Sequence, residues 1–566
     1  MAQANPLIVK IIENVLIGKG KKAVQHLDDI SKDAVAVSEK VLMDLVRKNE
    51  NTEFGKRMHF DEIKSVEDYR RMIPYTDYDF FSEYIDRMVK NGETNLITAD
   101  PVIQYAMSSG SVGNPKHIPV TQANVDLYTT YTTNFALFTG KEYYAKKRLK
   151  FGKPGRGFIA LEAVNMPLPD GTPRTAISST IMKKYEKILK YVYTSPVQVI
   201  MPDRVDLDLK YLKLLYMLKD KDCLYIAAAF MTALVDLMSY LEDNWKSIVD
   251  DIENGTIGDA VNIPNEMKDE LKKNLKPDPK RAEELRAEFG KGFDDPIIPR
   301  ILPNVQMIGA IGTGGFAAYT ERMKKYSGII PMHFLTYAAS ESLMAVARYP
   351  DEGEFVLIPD SGFYEFIPID STDEETSYTM DQLKVGKDYE IVITNLSGLY
   401  RYRIKDVIRV TGWHHKAPKI KFVYRKNQMI SIAGEKTSQE AVSWAIEEFA
   451  KKTGCVIPDY SVYADLSVDP GRYVLLMETY PQLPVEKTDE FEKLLFDLLS
   501  QANPNLGFVM NNNQLGKPKI KFVQQQTYAL YTDMQVMRGT SRNQIKPVRI
   551  IDTPAKEKFF FALTEK

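Results

Sequence analysis

The strongest constraint on the fold of this chain lies between Asn304 and Tyr424, where apolar residues come in short runs of strand length divided by glycine and polar residues. One such run is Met307-Ile308-Gly309-Ala310-Ile311-Gly312. Runs like this suggest strands buried on both faces, the pattern of an α/β sheet covered by helices. Further strand-like runs stand at 355–358, 389–394, 400–410 and 420–424. Earlier in the chain the spacing is helical, with apolar residues three and four apart over 34–46 and an amphipathic pattern over 6–17. The stretches 207–218 and 225–241 also read as periodic helices, and the charged stretch 266–289, broken by Pro277 and Pro279, as a solvated surface. After Arg425-Lys426-Asn427 a second α/β unit is expected, with strands at 429–432, 473–478 and 520–523 and helices at 438–451 and 489–500. The expected division is a domain over 1–425 and a smaller one over 428–566.

Composition narrows the function classes. The 74 basic and 76 acidic side chains nearly cancel, so no overall field draws the chain to nucleic acid or to an anionic membrane. The longest nearly apolar run, 224–235, falls short of the roughly 20 residues a membrane-spanning helix needs. The N-terminal apolar stretch is broken by Lys10 and Glu13, unlike a secretory signal. Two cysteines, Cys223 and Cys455, fit neither a disulfide framework nor a zinc set and point to a reducing cytoplasm. His414 and His415 are adjacent, so in an extended chain they would face opposite ways, and no zinc site is expected there.

The segment Ser108-Ser109-Gly110-Ser111-Val112-Gly113-Asn114-Pro115-Lys116 carries the first chemical signal. Its glycines let backbone N–H groups approach an anion, its hydroxyls can donate to one, and Lys116 adds charge. The spacing is not that of a Walker A loop. Taken alone, the segment reads better as a plain Ser/Gly turn between a strand and a helix starting at Gln122.

Two further motifs decide between these readings. Tyr337-Ala338-Ala339-Ser340-Glu341, together with the Ser/Gly segment, resembles the signatures of adenylate-forming enzymes, with Val112 a departure where a hydroxyl or Glu is usual. The run Gly398-Leu399-Tyr400-Arg401-Tyr402-Arg403-Ile404-Lys405-Asp406, followed by Trp413-His414-His415 and Phe422-Val423-Tyr424-Arg425, resembles the Gretchen Hagen family of acyl acid amido synthetases within that superfamily. The likeness extends to Asn244-Trp245-Lys246 with 250–256, to Glu435-Lys436-Thr437 and to 539–547, and so covers about residues 50 to 550.

That resemblance implies an α/β adenylate-forming fold with a large N-terminal domain and a small C-terminal α+β lid. It also implies an ATP-dependent ligase that joins a carboxylic acid to an amino acid, with Mg2+. Ser108, Ser109, Gly110 and Ser111 would cradle phosphate, Tyr337 would line the adenine pocket, Glu341 would hold Mg2+ and Asp406 would accept from the ribose hydroxyls. Arg425 and Lys436 would lie near the nucleotide, and Lys546 would stabilise charge on the transferring phosphorus. Val125, Tyr128 and Leu161 are candidates for lining the acyl site. In some plant members an Arg early in the helix after the phosphate loop grips the acyl carboxylate, whereas 122–140 here has no Arg or Lys. An acyl-CoA ligase using the same first step, or a nucleotide-binding regulator without turnover, are the alternatives.

Overall fold

The computed structural model describes residues 5–108, 116–164, 167–168, 171–204, 207, 209–258, 261–273, 275–313, 316–369, 376–426, 432, 437, 439–468, 470–511, 515–540, 542 and 545–565. They fall into two compact units. The first is Met1–Ile404 with Ile408–Phe422, and the second is Lys405–Val407 with Val423–Lys566.

The first unit opens with the helix Pro6–Ser31, longer than the amphipathic pattern over 6–17 suggests. Asn5 caps it by accepting from the Leu7 N–H at 3.0 Å, and Pro6 occupies its first turn. Gly20, Ala23, Val24 and Leu27 give it a buried stripe at helical spacing. At Gly20 a β-carbon would lie 2.0 Å from the Asn134 carbonyl oxygen, so this helix and Thr133–Lys146 approach backbone to backbone. The helix Ala34–Asn49 follows as expected.

Strands β1 (Val102–Ser108) and β2 (Lys116–Thr121) pair antiparallel. This corrects the strand–turn–helix layout read from sequence. Lys116-His117-Ile118-Pro119-Val120-Thr121 makes a second strand, and the helix Gln122–Tyr131 begins only after it. The Ser/Gly segment therefore does not lead directly into a helix N-terminus.

Four parallel strands, in the order β3 (Gly157–Ala160), β4 (Tyr225–Phe230), β5 (Met307–Ile311) and β6 (Met332–His333), form the second sheet. Here too the structure differs from the periodicity. Residues 225–230 are a strand, and the helix Met231–Asn254 follows it. Tyr-Ile-Ala-Ala-Ala-Phe has good helix formers at its centre, but pairing to strands on both sides overrides that local preference. The charged stretch is likewise only half a solvated surface. Leu271, Ala282, Leu285 and Phe289 are buried in one cluster with the helix Met231–Asn254, and Arg281 donates inward to the carbonyls of Leu218 at 2.8 Å and Ile301 at 2.6 Å.

The third sheet has seven strands: β7 (Thr336–Ala338), β8 (Leu343–Val346), β9 (Phe355–Leu357), β10 (Gly362–Pro368), β11 (Asp388–Asn395), β12 (Tyr402–His414) and β13 (Ala417–Arg425). Their order is β10-β11-β12-β13-β9-β8-β7. Its buried residues join those of the first helices in one core around Phe54, Phe81, Tyr364 and Tyr400.

In the second unit, β14 (Val456–Asp465), β15 (Arg472–Tyr480), β16 (Gly516–Phe522) and β17 (Ile550–Ile551) form a mixed sheet in the order β16-β15-β14-β17. Along β15 the side chains alternate between two clusters. Tyr473, Leu475 and Met477 pack with the helices Gln439–Thr453 and Thr488–Ala502, while Val474 and Leu476 pack with Tyr528 and Phe560. The strand expected at 429–432 lies outside the described residues except for Ile432. Cys223 and Cys455 are both buried and free. Among the described residues no helix is long and apolar enough to cross a membrane.

Candidate active site

In the first unit, side chains from several elements converge on the turn between β7 and β8. The Ala339 N–H donates to the Ser342 carbonyl at 2.9 Å, closing a turn that presents Ser340 and Glu341. Three side chains from other elements hold it. Tyr128, on the helix Gln122–Tyr131, donates to the Ala339 carbonyl at 3.0 Å. The Asn395 amide, at the end of β11, donates to the Glu341 carbonyl at 2.7 Å. Tyr402, at the start of β12, donates from its hydroxyl to Glu341 Oε1 at 3.3 Å. Burial, reinforced by the Glu341 charge, holds the phenols of Tyr128 and Tyr402 well above their usual pKa, so both remain donors at neutral pH.

The run 395–403 explains why this neighbourhood is ordered. Asn395 Oδ1 accepts from the N–H groups of Ser397 and Leu399, each at 2.9 Å. Gly398 has φ 92°, and a β-carbon there would lie 2.5 Å from the Ile97 carbonyl oxygen. Tyr400 is fully buried, stacks on Phe54 at 5.0 Å and donates to the Ile97 carbonyl at 3.0 Å. Arg401 makes a buried fork to Glu365, both contacts at 2.9 Å, and Arg403 makes a half-buried one to Glu390 at 2.7 and 2.6 Å. The arginines of the Tyr-Arg-Tyr-Arg motif are thus framework, and Tyr402 is its member aimed at Glu341.

Tyr337 is buried in β7, with its ring centroid 6.3 Å from that of Phe355 and 6.2 Å from that of Phe422. Ser108 ends β1 opposite Lys116, whose ammonium lies 4.8 Å from the Tyr78 ring centroid. Ser109, Gly110, Ser111 and Lys436 lie outside the described residues. Val125 is 1% exposed within the main core, while Leu161 packs in a separate cluster with Ala136, Met182 and Tyr225. The motif at 250–256 is a helix end. Asp251 accepts from Tyr211 at 2.5 Å and from the Gly258 N–H at 2.7 Å, and Gly255 caps the helix at φ 67°.

In the second unit, two of the residues singled out from sequence are partners. Arg425 Nε donates to Asp406 Oδ1 at 2.5 Å, and Asp406 is 2% exposed. Lys405 before it adopts φ 64°, a conformation in which few side-chain-bearing residues persist unless the surroundings hold them. Lys546 is exposed, on the segment between the helix Thr527–Met537 and β17. Three residues on, Arg549 anchors that segment by pairing with Asp459 and donating to the Tyr460 carbonyl at 2.9 Å. Neither Asn395 nor the role of Tyr402 is marked by the sequence motifs. The turn signal Asn395-Leu396-Ser397-Gly398 was visible, but its link to Glu341 was not.

The chain superimposes on the solved structure of the GH3.15 acyl acid amido synthetase with a TM-score of 0.83 and 24% identity, covering 95% of this chain and 96% of that one, and so shares its mixed α/β fold. A second structure of that enzyme, in complex with 2,4-DB, gives a TM-score of 0.82 at 24% identity over 97% and 96% of the two chains. Family models then match in series: the GH3 family N-terminal domain at 23–332, the central domain at 355–425 and the C-terminal domain at 440–555. The chain belongs to the GH3 family. Among its relatives, indole-3-acetic acid-amido synthetase GH3.2 of Arabidopsis thaliana is 29% identical over 84% of this chain and 90% of that protein. Indole-3-acetic acid-amido synthetase GH3.8 of Oryza sativa subsp. indica is 28% identical over 94% and 90%.

Proposed function

We propose that this chain is an ATP-dependent ligase that adenylates a carboxylic acid, releasing pyrophosphate, and passes the acyl group to the amine of an amino acid. The observation that carries this reading is the serial match of one chain to the N-terminal, central and C-terminal domain models of the GH3 family. A free carboxylate resists an amine because it is anionic and would have to expel oxide. In the first step its oxygen attacks the α-phosphorus of ATP, and the bond to pyrophosphate breaks. In the second the amine nitrogen attacks the acyl carbon, AMP leaves with the bridging oxygen, and the amine sheds a proton. Splitting one hard substitution into two easier ones is the gain.

The residues take their roles from chemistry. Asp406, buried and oriented by Arg425, suits the ribose hydroxyls because a carboxylate offers several acceptor sites. Glu341 suits Mg2+, which takes a carboxylate together with phosphate oxygens, and the turn held by Tyr402 and Asn395 fixes that carboxylate in place. When bound, the ion would neutralise phosphate charge. Tyr337 lines the adenine side, Ser108 to Ser111 and Lys436 contact phosphate, and Lys546 stabilises charge at the phosphorus during adenylation. Val125, Tyr128 and Leu161 stand as the acyl-side candidates, and 428–566 as a lid serving Lys546 to the first step. Two unpaired cysteines support action in a reducing cytoplasm.

Screening carboxylic acids for pyrophosphate release, then amino acids for faster AMP release and an acyl-amino acid product by mass spectrometry, tests the proposal. An amide is expected, with coenzyme A inactive as acceptor. A thioester with no amide across the panel would overturn it.

A further inference from the structure

His414 ends β12, and His415 begins the turn into β13. Extended backbone would send adjacent imidazoles to opposite faces. His415 instead adopts φ 52°, and the two ring centroids come within 4.9 Å of each other. The hairpin tip is tied to the end of the helix Pro6–Ser31, because the Lys416 N–H donates to the Ser31 carbonyl at 2.8 Å. That docking brings in Asp28, distant in sequence, whose Oδ1 lies 2.8 Å from His414 Nε2. One ligand atom from each of Asp28, His414 and His415 lies within 4.8 Å of the others.

The charges around this group pair among themselves. Lys32 bonds Asp29 at 2.7 Å, Lys416 approaches Asp33 at 3.3 Å, and His26 bonds Asp360 at 2.7 Å. The site is neither sealed nor fully open: the side chains of His414 and Asp28 are 19% and 35% exposed.

We propose that Asp28, His414 and His415 bind one divalent transition-metal ion of the zinc type, through two imidazole nitrogens and one carboxylate oxygen. The donor set selects the metal, since Mg2+ and Ca2+ favour all-oxygen surroundings while imidazole with carboxylate suits Zn2+. With metal–ligand distances of about 2.0–2.1 Å, tetrahedral donors stand roughly 3.3 Å apart, which small rotations of these side chains reach. Three protein ligands leave a coordination position for water. The ion would join the N-terminal helix to the β12–β13 hairpin.

Titration of the full chain with Zn2+, in the presence of excess Mg2+ to occupy the oxygen-only sites, tests this. One equivalent of Zn2+ should bind, and Zn2+ should raise the melting temperature of the native chain after treatment with chelator. His415→Asn removes a ligand while Asn tolerates the left-handed backbone, so its metal-free melting temperature should equal that of the native chain. That variant and Asp28→Asn should each bind Zn2+ at least about tenfold more weakly, whereas Glu341→Gln should bind it as the native chain does. Co2+ should give the ligand-field spectrum of a four-coordinate site in the native chain and not in His415→Asn. Absence of stoichiometric binding by the native chain, or binding unchanged in both His415→Asn and His414→Gln, would overturn the proposal.

Discussion

Asn395, fully buried at the end of β11, holds Glu341 by its backbone: its amide donates to the Glu341 carbonyl at 2.7 Å while its Oδ1 accepts from Ser397 and Leu399. One side chain therefore fixes both the turn before Tyr400 and the turn that presents the candidate Mg2+ ligand. Each of its hydrogen bonds is made where water cannot substitute, so their loss is expensive.

Replacing Asn395 separates the two duties. Asn395→Asp keeps the acceptor for Ser397 and Leu399 but loses the donor to Glu341, so it should fold and yet show a raised Mg2+ requirement in acid-dependent ATP–pyrophosphate exchange. Asn395→Ala loses all three bonds and should be less stable by roughly 2–4 kcal/mol in urea denaturation. Equal Mg2+ dependence in Asn395→Asp and the native chain would show that the Asn395 amide does not position Glu341 for the ion.

Asp406→Ala should weaken ATP binding by tenfold or more, since charge-assisted hydrogen bonds are worth about 1.5–3 kcal/mol each. Removal also leaves Arg425 without the carboxylate it bonds at 2.5 Å. Comparison with Arg425→Ala, measured by equilibrium ATP titration, distinguishes the two losses. If ATP affinity falls only in the Arg425 variant, the ribose assignment is wrong.

Lys546 is exposed, so Lys546→Ala should fold and change the melting temperature little. Its rate of ATP–pyrophosphate exchange should drop by about a hundred- to a thousandfold, the effect of removing a preorganised charge at the reacting centre. Amide formation from synthetic acyl-adenylate should suffer far less. Equal loss in both assays would assign Lys546 a role outside adenylation.

His333 gives a pH prediction. Its Nε2 lies 3.0 Å from Thr139 Oγ1 and its Nδ1 accepts from the Leu335 N–H at 3.0 Å, and burial pulls its pKa from 6.5 to about 4. The folded state disfavours the protonated ring, whereas the unfolded chain takes the proton near 6.5. Its contribution to stability is therefore complete above pH 6.5 and falls as pH drops towards 4, by about 3 kcal/mol in all. In urea denaturation, His333→Gln should lose less stability than the native chain between pH 7 and pH 4.5. Identical pH slopes would refute the assignment.

Elements whose pattern is local are legible in the residues alone. Runs such as 307–312 and 389–394 became β5 and β11, and the helical spacing over 34–46 became the helix Ala34–Asn49, because burial on two faces or on one stripe writes its period directly into the chain. The motifs likewise singled out Glu341, Asp406, Arg425 and Lys546. The strand Tyr225–Phe230 arises only in the folded chain, because its alanines favour helix until parallel neighbours pair with it. Tertiary structure alone joined Tyr402 and Asn395 to Glu341, and Asp28 to His414. Such contacts link residues far apart in the chain. Periodicity reports which face of an element is buried, but not which distant side chain meets it there.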